Sequence, residues 1–445
     1  MKFISTLKNI WKIEELKNRI LVTLGLLLVY RFGAQVVLPG VDASQLSNLA
    51  SQTDGGLLGL LNAFTGGAFS NASVFALGIM PYISASIVVQ LMGIAVPYLQ
   101  KLQKEGESGR RKINQITRWL TIAITLVQGP GYIYNLFSTL PQSAFLLGDT
   151  VTFVASSVII LTTGTIFAMW LGEKITDKGI GNGISLLIMV GIIATLPQAF
   201  IQEFASRVFE SNGGLIMILI ELVIWFLIIL ASVMLVMAVR QIPVQYARRT
   251  ASGGYEKNVF GSRQYIPLKL NASGVMPIIF AQAIMFIPAA VAGLSEGETS
   301  QGIAAAFSDI FGFWYNLVFA LLIIVFTYFY TAITVPTNKM ADDLKRSGGF
   351  IPGIRPGSET GEFLDRIMSQ ITLPGSIFLA LIAVFPAVVV QLLGVQQGWA
   401  LFFGGTSLLI MVGVAIDTMQ QVNSYLLNRH YDGLMKTGKN RKAIA

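Results

Sequence analysis

The segment G-I-M-P-Y-I-S-A-S-I, residues 78–87, decides how the chain is interpreted. A glycine opens it, a proline is its fourth residue and two serines follow, yet apolar sequence continues on both sides. Ile79, Ile83 and Ile87 are four residues apart and therefore stack on one face of a helix. Pro81 lacks a backbone N–H and clashes with the preceding turn, so we expect the helix to bend nearby. The isoleucine stripe suits either helix packing or a pore, and both interpretations remain open at this point.

The whole chain has the composition of a polytopic membrane protein. Of its 445 residues, 53% are apolar and only 12% are charged, whereas soluble domains carry roughly 25% charged residues. The chain has no cysteine, and its single histidine, His430, lies in the C-terminal tail. These counts exclude a disulfide framework, a thiolate nucleophile and histidine-based metal or proton chemistry within the membrane.

Hydropathy predicts an all-α protein with ten transmembrane helices, because each crossing of a ~30 Å hydrocarbon core needs about 20 mostly apolar residues. The predicted spans are residues 20–38, 73–92, 117–138, 150–172, 183–202, 215–238, 273–293, 313–334, 374–394 and 399–419. All of the 31 Lys and Arg residues except Arg31 and Arg207 fall on one side of these spans. The positive-inside rule then places both termini in the cytoplasm. The basic loops there could meet anionic lipid headgroups or nucleic-acid phosphates.

One apolar segment, G-G-L-L-G-L-L-N-A-F-T-G-G-A-F at residues 55–69, is too short to be a span. Its glycines interrupt it, and irregular backbone at membrane depth occurs only inside protein or beside a cavity. The segment is therefore either a re-entrant half-helix within a cavity open to the outside, or an ordinary outer loop packed on the helix bundle.

Ionisable residues are almost absent from the predicted spans, which contain only Arg31 and Glu221 well inside their apolar segments. For both we expect a buried pair or a bond to backbone, because two isolated charges do not form a proton relay. The chain also lacks a P-loop, since G-I-G-N-G-I-S at residues 179–185 has no phosphate-binding lysine. A passive channel fits better than a secondary transporter of a small solute, and an enzyme such as an intramembrane protease lacks a catalytic constellation.

Two basic loops have patterns suited to partner binding. Residues 241–261 alternate polar and apolar side chains about a Gly-Gly turn, which predicts a projecting β-hairpin with Arg248 and Arg249 near its tip. A flexible basic loop that only sets topology is the alternative. In the second loop, Arg355 lies between Gly-Ile and Pro-Gly, so we expect its guanidinium to be held ready to pair with carboxylate or phosphate.

Several long motifs, in order and spacing, resemble the SecY family, the central subunit of the protein-conducting channel. They are Y-R-F-G-A-Q-V-V-L-P-G-V-D (30–42), the stretch from Phe64 to Met92, K-E-G-E-S-G-R-R-K-I-N-Q-I-T-R (104–118), M-W-L-G-E-K-I-T-D-K-G-I-G-N-G-I-S (169–185), L-K-R-S-G-G-F-I-P-G-I-R-P-G-S-E-T (344–360) and F-F-G-G-T-S-L-L-I-M-V-G-V-A-I-D-T-M-Q-Q-V (402–422). The likeness runs over nearly the whole chain.

The resemblance implies two pseudo-symmetric five-helix halves, residues 1–202 and 203–419, around a central hourglass pore, with a cytosolic tail at 420–445. It implies a pore ring formed by Ile79, Ile83, Ile184, Ile188, Ile279 and Ile410. It implies a plug that includes Gly55, Leu57, Leu58, Leu60, Leu61, Phe64, Gly66 and Gly67. Ser84 matches a position at the lateral gate between spans 2–3 and 7–8.

The resemblance also implies the partners of the chain. A SecE-type clamp and a SecG-type peripheral subunit would accompany it in the cytoplasmic membrane. The SecA motor or the ribosome would dock on the basic loops, and an unfolded polypeptide with its signal sequence would be the cargo. No cofactor is implied, and anionic lipids would surround the assembly.

Overall fold

The computed structural model describes residues 11, 13–46, 56–146, 150–209, 214–246, 264–292 and 309–441. A helix lies at each of the ten predicted spans, which confirms the all-α polytopic fold. These ten helices are α1 (Glu14–Gly33), α3 (Met80–Ala95), α5 (Glu107–Thr139), α6 (Thr150–Lys178), α7 (Gly183–Phe209), α8 (Gly214–Met237), α9 (Met276–Ala292), α10 (Phe313–Thr334), α12 (Ser358–Leu393) and α14 (Gly405–Arg441).

Shorter elements connect these helices. They are α2 (Gly56–Thr65), α4 (Pro97–Lys104), α11 (Thr337–Arg346), α13 (Gln397–Ala400), the 3₁₀ turns Ala43–Gln45 and Gln142–Ala144, and the strands β1 (Val239–Tyr246), β2 (Gln264–Lys269) and β3 (Gly349–Phe350).

The chain is a multi-pass membrane protein by the length and apolar character of its helices. Among the described residues, six helices are long and apolar enough to cross a membrane, and a seventh is obtained if the bent pair α3 and α4 counts as one span. Helix α8 shows the pattern best, since Leu215, Leu219, Val223 and Phe226 all expose their side chains. Such a continuous apolar exterior is typical of a surface in contact with lipid.

The predicted start of the second span, at residue 73, and the predicted bend near Pro81 are both wrong. Helix α3 begins at Met80, and the residues before it form turns in which Gly78 has φ +53°. Pro81 therefore lies in the first helical turn, where its missing N–H has no partner to lose and its φ suits the helix. The sharp bend lies instead at Val96, where α3 and α4 meet at 103°.

The chain divides into two compact units, and the first comprises residues 1–214, 395–402 and 414–445. Its apolar core includes Leu38, Ala72, Leu136, Phe153 and Leu161, all almost fully buried. Small residues allow its helices to approach closely: the Cβ of an alanine at Gly183 of α7 would overlap the carbonyl oxygen of Gly172 on α6.

The second unit comprises residues 215–394 and 403–413. Strands β2, β1 and β3 form an antiparallel three-stranded sheet in that order. Ile242, Val244 and Leu268 of this sheet pack against Leu364 and Met368 of α12. We call the sheet, residues 351–357 and the start of α12 the platform.

The predicted β-hairpin is partly confirmed by the platform. Strand β1 covers the predicted first strand, and the alternation holds, since Ile242 and Val244 are buried while Gln241 and Pro243 are exposed. Its partner is Gln264–Lys269, beyond the predicted limit of the hairpin at residue 261. Arg248 and Arg249 lie outside the described residues.

Candidate functional site

The segment predicted as a re-entrant element or outer loop contains one short helix, α2. Leu60, Ala63 and Phe64 of this helix are buried, and the helix ends at Thr65. Gly66 and Gly67 follow with φ of +68° and +86°, a backbone conformation that glycine adopts without steric cost. Gly55 lies outside the described residues, as do the side chains of Leu57 and Leu58.

Helix α2 rests against α7 through two glycines. A Cβ added to Gly191 would lie 2.7 Å from the carbonyl oxygen of Phe64, and one added to Gly66 would lie 2.7 Å from the Cα of Gly191. Real Cβ atoms do not approach backbone so closely, so both positions require glycine unless the backbone moves. The pair brings the end of α2 directly onto α7.

Arg31 holds the same point from a third helix. It lies in the last turn of α1, and its Nη1 donates a short hydrogen bond to the carbonyl oxygen of Gly66. Of the two roles expected for Arg31, a buried pair or a bond to backbone, this contact shows the second. We call Arg31, Gly66 and Gly191 the plug seat.

The residues after the two glycines are held by bonds to α5 and to α2, and not by Arg31. The hydroxyl of Tyr132 on α5 donates to the carbonyl oxygen of Phe69 at 2.8 Å, and the two rings pack edge to face. The backbone N–H of Ser70 donates to Oδ1 of Asn62 at 3.0 Å. We call residues 68–73 the plug base, and they bond to α5 and to α2 rather than to Arg31.

A polar cavity of about 220 Å³ lies beside the plug seat within the first unit. Its lining includes Arg31 and the amide or hydroxyl side chains of Gln35, Asn62, Thr195 and Gln198. Such a lining favours water and hydrogen-bonding groups over hydrocarbon. A cavity next to residues 55–69 agrees with the re-entrant interpretation of that segment.

The predicted pore isoleucines of the first unit lie at the N-terminal ends of two helices. In the first unit, Ile79 is the residue before α3 and Ile83 lies one turn on, while Ile184 and Ile188 form the corresponding pair at the start of α7. Ile188 and Ile79 are buried, and the other two are half-buried.

The remaining predicted pore and gate positions also lie on helices. In the second unit, Ile279 is half-buried on α9 and Ile410 is buried on α14. In the first unit, Ser84 is half-buried on α3.

The loop before α7 is fixed by contacts from two helices. Arg19 of α1 donates to the carbonyl oxygen of Gly179 at 3.3 Å, and Thr23 accepts from the N–H of Ile180 at 3.0 Å. Gln421 of α14 accepts from the N–H of Gly181 at 2.9 Å. These contacts hold the loop between α6 and α7.

One buried ionic cluster was missed by the sequence analysis. Helix α7 runs beyond the predicted span end at 202 to Phe209, and the buried Arg207 donates to Oε1 of Glu203 at 2.7 Å. The other carboxylate oxygen of Glu203 accepts from the N–H of Gln396 at 2.9 Å. Arg207 is therefore part of a helix rather than of a loop, and the spacing of four residues between Glu and Arg was the available signal.

Arg355 projects from the platform. Its carbonyl oxygen accepts a 2.8 Å bond from the hydroxyl of Thr360, and Gly353 and Gly357 on either side have φ of +85° and +122°. Its side chain is 87% exposed and lies 3.8 Å from the carboxylate of Glu359. The expectation that the guanidinium itself is held is wrong, because the loop fixes the backbone and presents the side chain to solvent.

Comparison with known proteins shows the family. The model described as SecY matches residues 73–419, which is more than half of the chain. The chain belongs to the SecY family. Relatives named protein translocase subunit SecY include one from Streptomyces scabiei, 40% identical over 96% of this chain and 98% of the relative. Another, from Escherichia coli strain K12, is 39% identical over 95% and 94%.

Solved structures show the same fold. A protein-conducting channel with 18% sequence identity aligns over 92% of each chain with a TM-score of 0.59. Canine Sec61, in a ribosome–channel complex from the endoplasmic reticulum, has 17% identity and aligns over 92% of each chain with a TM-score of 0.55. A third structure, with a TM-score of 0.60, is of a SecY protein whose plug domain stabilises the closed state of its translocation channel.

The SecY match begins at residue 73, so the plug seat residues Arg31 and Gly66 precede the matched range. Gly191 lies inside it. The plug seat therefore joins a part of the chain outside the family model to a helix within it.

Proposed function

We propose that this SecY-family chain forms a gated channel through which unfolded secretory polypeptides cross the cytoplasmic membrane, and from which membrane segments pass sideways into lipid. The observation that carries the proposal is the short apolar helix α2, seated against α7 next to a polar cavity. A removable helix at such a position is what a channel needs if it must stay closed to ions at rest. The chain acts as a conduit, and energy for transport comes from a partner or a gradient.

The proposed channel has two five-helix halves, residues 1–202 and 203–419, and both termini are cytoplasmic. The six isoleucines of the pore ring, Ile79, Ile83, Ile184, Ile188, Ile279 and Ile410, line its neck. Aliphatic side chains offer no polar partner to water or ions, so a narrow ring of them can dewet when empty. The same side chains can move apart around a passing polypeptide without selecting particular residues.

The plug in this proposal is the segment from Gly55 to Phe69. Its described helix, α2, is followed by Gly66 and Gly67, whose backbone is left-handed. Glycine has the conformational freedom to let the helix rotate about this point, which we call the pivot. Ser84 on α3 would belong to the lateral gate through which signal sequences reach lipid.

The proposed partners meet the chain on its basic loops. Arg355 on the platform, with Arg248 and Arg249 between β1 and β2, would contact carboxylates of the SecA motor or phosphates of ribosomal RNA. The relatives solved on ribosomes support the second partner. SecE-type and SecG-type subunits would complete the complex, and anionic lipids would contact the same basic face.

Site-specific crosslinking during arrested export tests the channel. A photoreactive residue replaces Ile83 or Ile188, and a secretory chain is stalled midway. Val158 is the matched control, because it is an aliphatic side chain of the first unit that faces Gly129 on a neighbouring helix. We expect crosslinks at both isoleucines and none at Val158. Vesicles that export normally but give no crosslink at either isoleucine would contradict the proposed path.

A further inference from the structure

We propose that Arg31 is the positioning residue that keeps the plug closed, acting as a latch on the end of helix α2. The proposal rests on the proposed function of residues 55–69 as the plug. It adds a residue from outside that segment, on α1, and a defined contact, the bond from Arg31 Nη1 to the carbonyl oxygen of Gly66.

The position of the bond along the chain separates it from the other contacts of this segment. The two residues with left-handed backbone, Gly66 and Gly67, lie between α2 and the plug base. Arg31 binds at the start of this pivot, on the side of α2, whereas Tyr132 binds Phe69 beyond it. An outward swing of α2 about the glycines would break the Arg31 bond and leave the Tyr132 bond intact. It would also break the two bonds that cross the pivot, from the backbone N–H of Phe69 to Thr65 Oγ1 and from that of Ser70 to Asn62 Oδ1.

The chemistry of the contact suits a latch. Carbonyl groups at the C-terminal end of a helix lack an intrahelical partner and carry partial negative charge. Gly66 directly follows α2, so the guanidinium of Arg31 satisfies a carbonyl that the helix cannot satisfy itself. It does so from another helix, which ties the end of α2 to α1.

The contact is also releasable, as a comparison with Arg207 in the same unit shows. Arg207 is paired with the buried carboxylate of Glu203, and separating such a pair leaves an uncompensated buried charge. Among the described residues that line the cavity beside Arg31, none is acidic. Arg31 is only half-buried and borders that polar cavity, so its guanidinium can be hydrated when Gly66 leaves.

The glycine pair completes the latch by fixing the geometry. Because Gly191 and Gly66 carry no Cβ, α2 reaches α7 closely enough for the Gly66 carbonyl to meet Arg31. Any side chain at Gly191 would push against the carbonyl of Phe64, 2.7 Å from its Cβ. The seat therefore combines one steric requirement with one charged hydrogen bond.

Thiol labelling can test the latch, because the chain contains no cysteine of its own. Ala63→Cys reports on α2, since Ala63 is only 6% exposed and the substitution adds a single heavy atom. Ala76→Cys, at a fully buried position of the adjacent core, is the reference. Each reporter is placed in the resting, complete channel complex in spheroplasts and labelled from outside with a membrane-impermeant maleimide.

The test variant is Arg31→Gln, and its matched control is Arg19→Gln. Arg19 lies on the same helix and also donates to a backbone carbonyl, that of Gly179, away from the plug seat. We expect Arg31→Gln to raise the labelling rate of Ala63→Cys roughly tenfold, as the loss of a charge-assisted hydrogen bond would do. Arg19→Gln should leave the rate unchanged, and Ala76→Cys should stay protected in both variants.

The other outcomes distinguish the latch from the plug. A stalled secretory chain in the parent protein serves as the positive reference, since it should displace the plug and raise Ala63→Cys labelling whatever the role of Arg31. If the stalled chain raises labelling and Arg31→Gln does not, the latch is overturned while the plug stands. If neither raises it, both are overturned. Equal increases at Ala63→Cys and Ala76→Cys would show general loosening and also overturn the latch.

Should Arg31→Gln fail to accumulate in the membrane, Arg31→Lys decides the question. Lysine keeps the positive charge on α1 but replaces the planar guanidinium with a single ammonium, which lies at a different distance from the backbone. We expect a smaller increase in labelling, about threefold. A rate equal to that of the parent would overturn the proposal.

Discussion

The plug seat and the platform hold their parts in opposite ways. At the plug seat, Arg31 and Gly191 reach one point at the end of α2 through a single hydrogen bond and a glycine contact. At the platform, β1 pairs with β2 from Val239 to Val244 and with β3 at its end, and the sheet packs on α12 through a core of buried apolar side chains. The first arrangement can be released by breaking few contacts, whereas the second can be released only by unfolding.

The two regions also use arginine differently. The Arg31 guanidinium is bonded within the protein to a backbone carbonyl. The Arg355 guanidinium projects into solvent from a loop whose backbone is fixed at Thr360. We infer that a rigid base with a solvent-exposed cation suits the docking of an external partner, and a cation held by a backbone carbonyl suits an internal switch.

The largest effect is expected from Arg355→Glu. Exposed arginines at the centre of an interface can contribute about 2 kcal/mol or more to binding, and charge reversal adds repulsion from the acidic partner groups. Export in vesicles supplied with motor and precursor should fall roughly tenfold or more, while the amount of folded protein stays constant. Arg346→Glu makes the same change at another exposed position near the platform. Equal loss of export in both variants would show that general charge, rather than Arg355, matters.

A smaller effect, confined to stability, is expected from Leu364→Ala. Leu364 is fully buried between α12 and the sheet, and emptying such a site costs about 2–5 kcal/mol. Limited proteolysis should cut between β1 and β2 faster in this variant. Labelling of Ala63→Cys should not change, because the platform and the plug seat share no residue. Glu362→Ala, at an exposed position two residues earlier on the same helix, is the control.

Tyr132→Phe sharpens the distinction between plug and plug base. The substitution removes the hydrogen bond to Phe69 but keeps the edge-to-face ring contact, so we expect a loss of about 1 kcal/mol in stability. Tyr134→Phe, on the exposed face of the same helix, should cost nothing measurable. Because Tyr132 holds the base, Ala63→Cys should remain protected. Labelling as fast as in Arg31→Gln would mean that the whole segment moves as one body.

Much of the fold could be predicted from the sequence, because lipid imposes a length and an apolar composition on each helix. The predicted span 150–172 and helix α6 begin at the same residue. The prediction failed where composition is uniform across a boundary. Apolar residues precede Pro81, so hydropathy could not show that the helix begins at Met80 rather than bending there.

The kind of contact made at the candidate site could be predicted from the sequence, but the residues that make it could not. Arg31 stands out as a charge in an apolar span, and its bond to backbone follows from the cost of leaving it unpaired. That the carbonyl belongs to Gly66, and that Gly66 meets Gly191, depends on tertiary contacts between distant parts of the sequence. The second strand of the hairpin was misplaced for a similar reason, since the register between β1 and β2 is set by pairing and packing on α12.

The smallest effect is expected on the pH dependence of stability, at the turn of Asp42 and Ser44 that precedes α2 in the sequence. The carboxylate of Asp42 accepts hydrogen bonds from the backbone N–H and the hydroxyl of Ser44, and these bonds lower the pKa of Asp42 below its usual value. A lowered pKa in the folded state means that the stabilisation is present above the unfolded pKa of about 3.9 and is lost as the pH falls through the folded value. At pH 7, Asp42→Asn and Ser44→Ala should each lower the melting temperature of the purified complex by less than about 1 °C, since Asp42 is only half-buried and solvent screens its charge. The difference from the parent should disappear once the pH falls below the folded-state pKa of Asp42. A difference that persists there would show that Asp42 acts through packing rather than through its charge, and that the turn before α2 is built like the platform rather than like the plug seat.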